Sequence, residues 1–275
     1  MKIIPLSIPT PFYVGDVNVY LIKEDPITLI DVGPKTPEAA AALRERLAAN
    51  GIAFADVRRI VLTHAHEDHC GLAKQVRDEA KNAEILVHNW ETGHLFGRLS
   101  QEHHKRLLLR SGVPAQIFGE MRGLYDKISL LTDALDDGEF VPLKDEMELE
   151  FENGSLQVIH TPGHSPGSVS FLDREARALF VGDLCYLGQM LLFDSASDMA
   201  AFRRSLHALG TIAADVNAIY PAHGPAPMTS DDVLHIRDAF ELIWNGKKPD
   251  WNGTYSGHRV AIHDFGRFAF LVPPG

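Results

Sequence analysis

Short apolar runs between polar turns predict strands in the first third of the chain. The runs "VNVYLI" (17–22) and "ITLIDVG" (27–33) flank the polar segment "KEDP" and predict a hairpin. The run "RRIVLT" (58–63) has the length and branching of a buried strand, and "EILVH" (84–88) predicts another strand.

Two helices are predicted between these strands. Thr36 is the expected N-cap of the first helix, Pro37 its first helical residue and Gly51 its C-terminal stop. Residues 70–80 predict the second helix, between the strands at 58–63 and 84–88.

Residues 90–136 differ from the rest because their apolar positions follow a helical period with no strand between them. We interpret 90–145 as a helical insertion within a single domain that spans 1–275. The insertion can cover a substrate cleft as a lid, or pack against the scaffold or a second subunit of a homodimer. Beyond it the pattern predicts strands at 146–151, 156–163, 168–173, 178–183, 217–224, 258–265 and 267–272, and helices at 198–209 and 229–246.

Strands alternate with helices in both halves of the chain, so the predicted fold class is α/β. The two halves share a rough order of strands followed by a helix. That order suits two sheets packed face to face with helices on the outside.

Composition agrees with a globular protein, because 45% of the residues are hydrophobic and 23% are charged. The net charge of −11 disfavours nucleic acid as a partner, since an acidic surface repels a polyanion. Two cysteines, Cys70 and Cys185, are too few for a disulfide framework. We find no signal-peptide pattern and no apolar run of ~18 residues, which predicts a cytoplasmic protein that does not span a membrane.

Candidate chemistry is concentrated in "VLTHAHEDHCG", where His64, His66, Asp68 and His69 follow a predicted strand. Neutral imidazoles and a carboxylate suit borderline divalent metals such as Zn²⁺ or Fe²⁺. A polar loop that happens to be rich in histidine is the alternative. One loop cannot complete two metal sites, because each ion needs about three or four protein ligands.

Three further candidates lie at the ends of predicted strands, where α/β folds gather their sites. His164 lies in the turn "HTPGHSPGS" (160–168), which follows the strand "LQVI". Asp183 ends "LFVGD", and His223 ends "AIYPAH". Each of them alone is more simply structural, but the set of seven predicts a metal centre.

The motifs "THAHEDH", "TPGHSPGS", "FVGDLC" and "YPAHG" resemble those of the metallo-β-lactamase superfamily, in the same order along the chain. The resemblance implies a four-layer αβ/βα sandwich with a dinuclear metal site. Within the superfamily, it implies membership of the glyoxalase II-like branch. It implies two divalent ions, zinc first and iron or manganese as alternatives. The implied ligands are His64, His66 and His164 for one ion, Asp68, His69 and His223 for the other, and Asp183 as the bridge. Asp31, in the "D-x-G" of "LIDVG", is implied to orient a ligand imidazole, or it caps a strand end.

Two divalent ions lower the pKa of a shared water towards ~7 and polarise a carbonyl, which suits hydrolysis of a small ester, thioester or lactone. Asp68 is a candidate for proton transfer besides ligation. Tyr186 is a candidate hydrogen-bond donor to a substrate oxygen, with ordinary packing as its alternative. The competing functions are a mononuclear iron persulfide dioxygenase, a ribonuclease, a diiron electron-transfer module and a metal-dependent binding protein.

Overall fold

The computed structural model describes residues 1–91, 140–193 and 196–274. The chain divides into two compact units, and we call them by their main segments. The N-terminal unit comprises Lys2–Thr10 and Val19–Pro142, and the C-terminal unit comprises Met1, Pro11–Asn18 and Leu143–Gly275.

The N-terminal unit is built on a six-stranded sheet whose strands follow chain order. The strands are β1 (Ile3–Ile8), β2 (Val17–Ile22), β3 (Thr28–Ile30), β4 (Arg59–Val61), β5 (Glu84–His88) and β6 (Phe140–Leu143). Strand β3 runs antiparallel to β2 and parallel to β4, and β4 runs parallel to β5. Its helices are α1 (Pro37–Ala49), α2 (Glu67–Cys70) and α3 (Ala73–Glu79), with a 3₁₀ turn at Phe54–Asp56.

Helix α1 begins and ends as predicted. The Thr36 hydroxyl accepts a hydrogen bond from the Ala39 N–H at 3.1 Å, which caps the first turn. Pro37 is the first helical residue, and Gly51 follows the helix in the left-handed region with φ of 72°.

The helix predicted over 70–80 is two helices, α2 and α3, and the first begins earlier, at Glu67. The segment after β3 explains the break. The Val32 N–H donates to the His69 carbonyl at 2.8 Å, and the Leu72 N–H donates to the Gly33 carbonyl at 3.1 Å. These bonds replace the helical ones that would have joined α2 to α3.

The C-terminal unit contains nine described strands: β7 (Glu148–Phe151), β8 (Gly154–His160), β9 (Val169–Asp173), β10 (Ala178–Gly182), β11 (Gln189–Leu191), β12 (Ala218–Pro221), β13 (Trp251–Tyr255), β14 (His258–Asp264) and β15 (Ala269–Val272). They form a five-stranded sheet of order β12-β10-β9-β8-β7 and a four-stranded sheet of order β11-β15-β14-β13. The helices of this unit are α4 (Met199–Ala213) and α5 (Ser230–Trp244). Helix α5 is capped by Thr229, whose hydroxyl accepts from the Asp232 N–H at 3.2 Å.

Aromatic packing between helices and strands forms the core of the C-terminal unit. The ring centroid of Phe240 lies 5.1 Å from that of Phe202 and 5.2 Å from that of Phe270. Offset and edge-on ring pairs at these separations add to the free energy gained by burial. The two helices are thereby fixed against strand β15.

The α/β class is confirmed by this mixture of sheets and helices. Strands β1, β6, β11 and β13 are not predicted by the apolar pattern, and β6 lies within the segment 90–145 that was predicted to be a helical insertion. Residues 92–139, which include most of the predicted insertion 90–145, lie outside the described residues, and the sheet resumes at Phe140. Each helix in the described part of the chain is too short or too polar to cross a bilayer.

Candidate metal centre

Four of the predicted ligands converge in the N-terminal unit, just after strand β4, and we call them the N-terminal ligand set: His64, His66, Asp68 and His69. His64 Nε2 lies 3.0 Å from His66 Nδ1, and the His64 and His69 ring centroids are 4.0 Å apart. His69 Nε2 lies 3.6 Å from Asp68 Oδ1. Because His66 is the residue before helix α2, the chain turns there and brings the acid and the third histidine back towards the first.

Asp31 orients two imidazoles of this set. Its Oδ2 atom lies 2.8 Å from His69 Nδ1, and its carboxylate accepts from the Thr63 N–H and hydroxyl, each at 2.8 Å. Since the Thr63 hydroxyl donates to Asp31, its oxygen accepts from His64 Nδ1 at 3.0 Å. This pattern assigns the proton of both rings to Nδ1 and leaves both Nε2 lone pairs for a metal.

The backbone conformation of Asp31 also helps to place its carboxylate beside the imidazoles. Its φ is 59°, in the left-handed region that aspartate tolerates better than most residues. Its N–H donates to the Val61 carbonyl at 2.9 Å, which extends the pairing of β3 with β4 by one residue. The carboxylate is thus held against the loop that carries the ligands.

Glu91 is a site residue that the sequence did not indicate. Its buried side chain accepts a hydrogen bond from the Ala65 N–H at 2.9 Å, between the first two histidines. The residue lies three positions after β5 in "NWET" and belongs to no recognisable motif. It fixes the backbone of the ligand loop from a distant part of the chain.

The C-terminal unit brings together the other three predicted ligands, and we call them the C-terminal ligand set: His164, Asp183 and His223. Asp183 lies between the two imidazoles. Its Oδ2 atom is 3.4 Å from His164 Nε2, and its Oδ1 atom is 3.6 Å from His223 Nε2. All three side chains are buried. Each carboxylate oxygen therefore faces a different histidine.

Backbone carbonyl groups orient both histidines of this set. His164 Nδ1 lies 3.1 Å from the Leu191 carbonyl oxygen, and His223 Nδ1 lies 2.9 Å from the Asp16 carbonyl oxygen. A carbonyl only accepts, so both rings carry their proton on Nδ1 and direct the Nε2 lone pair towards Asp183.

The turn that carries His164 requires glycine at the preceding position. Gly163 has φ of 137°, and a Cβ atom there would lie 2.2 Å from the Phe202 backbone nitrogen. The Asp198 N–H donates to the Gly163 carbonyl at 2.8 Å, which ties the turn to the start of helix α4. The close approach of turn and helix sets the position of the ligand.

The donor atoms in both units fit divalent metal. Three of the separations between them are 3.4–3.6 Å, longer than the ~2.7–3.2 Å of ordinary hydrogen bonds. Two ligands about 2.1 Å from one tetrahedral ion are about 3.4 Å apart. The described histidines and aspartates thus include groups that can hold a metal ion.

Buried carboxylate side chains in the N-terminal unit also indicate that a metal ion can bind there. Asp31, Asp68 and Glu91 are all buried beside the imidazoles or their loop. Burying several carboxylates is costly unless positive charge compensates, and a divalent cation supplies that charge.

Neither cysteine belongs to the clusters of described residues that can hold a metal ion. Burial raises the pKa of the Cys70 thiol well above its usual value, and the nearby carboxylates of Glu67 and Asp68 raise it further. Burial also raises the pKa of Cys185, whose side chain belongs to the hydrophobic core of the C-terminal unit. The candidate ligand atoms in these clusters are nitrogen and oxygen atoms of histidine and aspartate.

Tyr186 is placed beside the C-terminal ligand set, with its ring centroid 5.3 Å from that of His223. Its hydroxyl donates to the Gln189 carbonyl at 2.5 Å, and its side chain is buried in the core. These contacts favour the packing role over donation to a substrate.

An α/β chain that gathers histidine and aspartate at the ends of strands belongs to the class of metal-binding α/β proteins. The family model of the metallo-beta-lactamase superfamily matches residues 12–248. The chain belongs to this superfamily and has its fold, as the sequence motifs predicted.

Relatives and solved structures agree with this assignment. The chain is 31% identical over 251 residues to the probable metallo-hydrolase YqjP of Bacillus subtilis (strain 168), covering 84% of this chain and 74% of YqjP. It is 27% identical over 135 residues to the hydroxyacylglutathione hydrolase GloC of Haemophilus influenzae, covering 48% and 52% of the two chains.

Two solved structures share the fold. The metallo-beta-lactamase family protein TTHA1429 of Thermus thermophilus superposes with a TM-score of 0.69 at 25% identity, covering 92% of this chain and 84% of that one. TTHA1623 in a di-iron-bound form superposes with a TM-score of 0.58 at 27% identity, covering 83% and 95%.

Proposed function

We propose that the two ligand sets together hold two divalent metal ions and that the protein hydrolyses a small ester, thioester or lactone. The observation that carries the proposal is the position of Asp183, which offers one carboxylate oxygen to His164 and the other to His223. A carboxylate whose two oxygens face different histidines is better placed to bridge two ions than to bind a single ion.

The proposed ligands are those that the family resemblance implies. His64, His66 and His164 would hold one ion, and Asp68, His69 and His223 the other. When bound, the ions supply a water of lowered pKa and Lewis-acid polarisation of a carbonyl. The chain's own contribution is to fix the ligands, through Asp31 for two of the imidazoles.

We propose zinc as the metal, with iron and manganese as alternatives, because imidazole and carboxylate ligands suit all three. The di-iron form of TTHA1623 supports a site with two metal ions and retains iron as an alternative to zinc. The relationship to GloC supports a thioester among the substrates to be tested.

Asp68 has a second proposed role as a proton acceptor. Its Oδ1 atom lies 3.6 Å from His69 Nε2, and a carboxylate placed among the ligand imidazoles is a suitable acceptor for a proton released in the reaction. In preparations loaded to equal metal content, Asp68→Asn should lower kcat about 100-fold or more relative to wild type. Full activity with intact metal would remove this role.

Elemental analysis of the purified protein, followed by a screen of thioesters, lactones and aryl esters, tests the proposed function. We expect two metal ions per chain and turnover that is lost after chelation and restored by added metal. An oxygen electrode should register no oxygen uptake. One iron per chain together with oxygen uptake on a persulfide would overturn the proposal in favour of a dioxygenase.

A further inference from the structure

Four aromatic side chains meet at the surface of the C-terminal unit, and we call them the aromatic cluster: Tyr13, Phe193, Tyr255 and His258. The Tyr255 ring centroid lies 5.5 Å from that of Phe193 and 6.1 Å from that of Tyr13. The His258 centroid lies 5.5 Å from that of Phe193. Three separate segments of the chain contribute to this cluster.

A tight hairpin presents two members of the cluster. Tyr255 and His258 are opposite each other in the pairing of β13 with β14. The turn between them has φ of 48° at Ser256 and 84° at Gly257, two positive values that are typical of a type I′ turn. The turn and the strand pairing place both residues side by side on the hairpin.

The other two members adjoin the backbone groups that orient the metal ligands. Phe193 is two residues after Leu191, whose carbonyl accepts from His164. Two residues span at most about 7 Å of extended chain. Strand β11, which ends at Leu191, belongs to the same four-stranded sheet as the hairpin. The sheet therefore connects the aromatic cluster to the first histidine of the set.

Tyr13 is connected to the second histidine in the same way. It lies three residues before Asp16, whose carbonyl accepts from His223. Three residues span at most about 11 Å. Both histidines of the C-terminal ligand set are thus oriented from segments that lead directly into the aromatic cluster.

Burial does not account for the cluster. Tyr13 is 88% exposed, and His258 is exposed as well, so neither ring contributes to the hydrophobic core. Exposed aromatic rings close to a site offer their faces for stacking with a flat apolar ligand. The alternative, a cross-strand aromatic pair that stabilises the hairpin, explains Tyr255 and His258 but leaves Tyr13 unexplained.

We propose that the aromatic cluster binds a flat apolar group, aryl or conjugated, on the substrate of the metal centre. This inference rests on the proposed hydrolase function and names the class of substrate. Tyr255 and His258 lie beyond residues 12–248, the range that the family model matches.

Substitution of cluster residues in the metal-loaded full chain tests the inference. Tyr13→Ala and Tyr255→Ala should each lower the ratio of kcat/KM for a naphthylacetyl thioester to kcat/KM for the acetyl thioester about 3- to 10-fold, mainly through KM. Tyr255→Phe should keep the wild-type ratio, because the ring and not the hydroxyl makes the contact. Trp251→Ala, at a 50% exposed position of the same hairpin outside the cluster, is the matched control and should keep the ratio.

A binding measurement separates this inference from the proposed function. Saturation-transfer NMR with naphthylacetamide, an uncharged amide, should detect binding to the wild type and weaker binding to Tyr13→Ala. Binding without turnover of any ester, thioester or lactone would overturn the proposed hydrolase function but support the aromatic cluster as a ligand site. Turnover with the same aryl preference in wild type, Tyr13→Ala and Tyr255→Ala would overturn the proposed role of the aromatic cluster but support the hydrolase function. Tyr13 lies in an exposed loop, so its variant tests the idea even if the hairpin variant fails to fold.

Discussion

The two ligand sets are oriented by different kinds of groups. In the N-terminal set, side chains orient the imidazoles. Asp31 contacts His69 directly and is linked to His64 through the Thr63 hydroxyl. In the C-terminal set, backbone carbonyl groups of Leu191 and Asp16 hold the imidazoles. One set therefore depends on a few replaceable carboxylates and hydroxyls, and the other depends on the local fold.

This difference makes the sets separable by experiment. A conservative substitution can remove an orienting carboxylate without moving the chain, whereas a carbonyl is removed only by displacing its strand or loop. We therefore expect side-chain changes near the N-terminal set to alter metal affinity first. Backbone changes near the C-terminal set should alter metal affinity and stability together.

Removal of the shared carboxylate should have the largest effect. Asp183→Asn replaces the group that faces two imidazoles with a neutral amide, so metal content should fall below two ions per chain. Activity should fall more than about 100-fold, since changes in groups that merely orient ligands already cost 10–100-fold. Asp215→Asn, at an exposed position of the same unit, is the control and should behave as wild type.

Removal of the orienting carboxylate should come next. Asp31→Asn should weaken metal affinity about 10- to 100-fold in a competition with a chelator, because an amide no longer accepts from all three of its donors. Glu91→Gln should have a smaller effect, since the amide oxygen can still accept from the Ala65 N–H. Equal affinities for wild type and Asp31→Asn would contradict the role assigned to side chains in this set.

A backbone change tests the other set. Gly163→Ala places a Cβ atom against the Phe202 backbone, where there is no room and where φ disfavours alanine. We expect a loss of about 1–3 kcal/mol in the free energy of unfolding and a Tm lower by roughly 3–10 °C, with weaker metal binding. Gly246→Ala is a control for the left-handed φ alone, because a Cβ there meets no neighbour.

A carboxylate outside both sets gives the smallest expected effect. The hydrogen bond from Arg203, followed by that from His207, lowers the pKa of Glu241 from 4.5 to about 2. A lowered pKa in the folded state stabilises the fold above pH ~4.5, and this contribution is lost as the pH falls towards 2. Glu241→Gln should lower Tm by ~1–2 °C at pH 6, and the difference should shrink on acidification. A difference that grows as the pH falls would contradict the assignment.

The comparison also explains what could be predicted from the sequence. The N-terminal set was visible because three histidines and two acids lie within the six residues "HAHEDH". The C-terminal set required the expectation that sites gather at strand ends, since His164 and His223 are 59 positions apart in the numbering. Glu91 could not be predicted, because its contact with Ala65 depends on how β5 and the ligand loop pack.

Secondary structure shows the same limit. Helix α1 carries its own signals in Thr36, Pro37 and Gly51, and it was predicted correctly. The break between α2 and α3 depends on hydrogen bonds from Val32 and to Gly33, which are distant in sequence. Strand β13 is mostly exposed and polar, and its pairing with β14 defines it more than its own residues do.

Metal stoichiometry tests most directly the proposal that both ligand sets serve one dinuclear centre. Mass spectrometry of the intact protein under native conditions, after loading with zinc and removal of excess metal, counts the ions per chain. We expect two ions in the wild type and fewer than two in Asp183→Asn. A wild-type chain that holds one ion or none, or an Asp183→Asn chain that keeps both, would contradict the proposal.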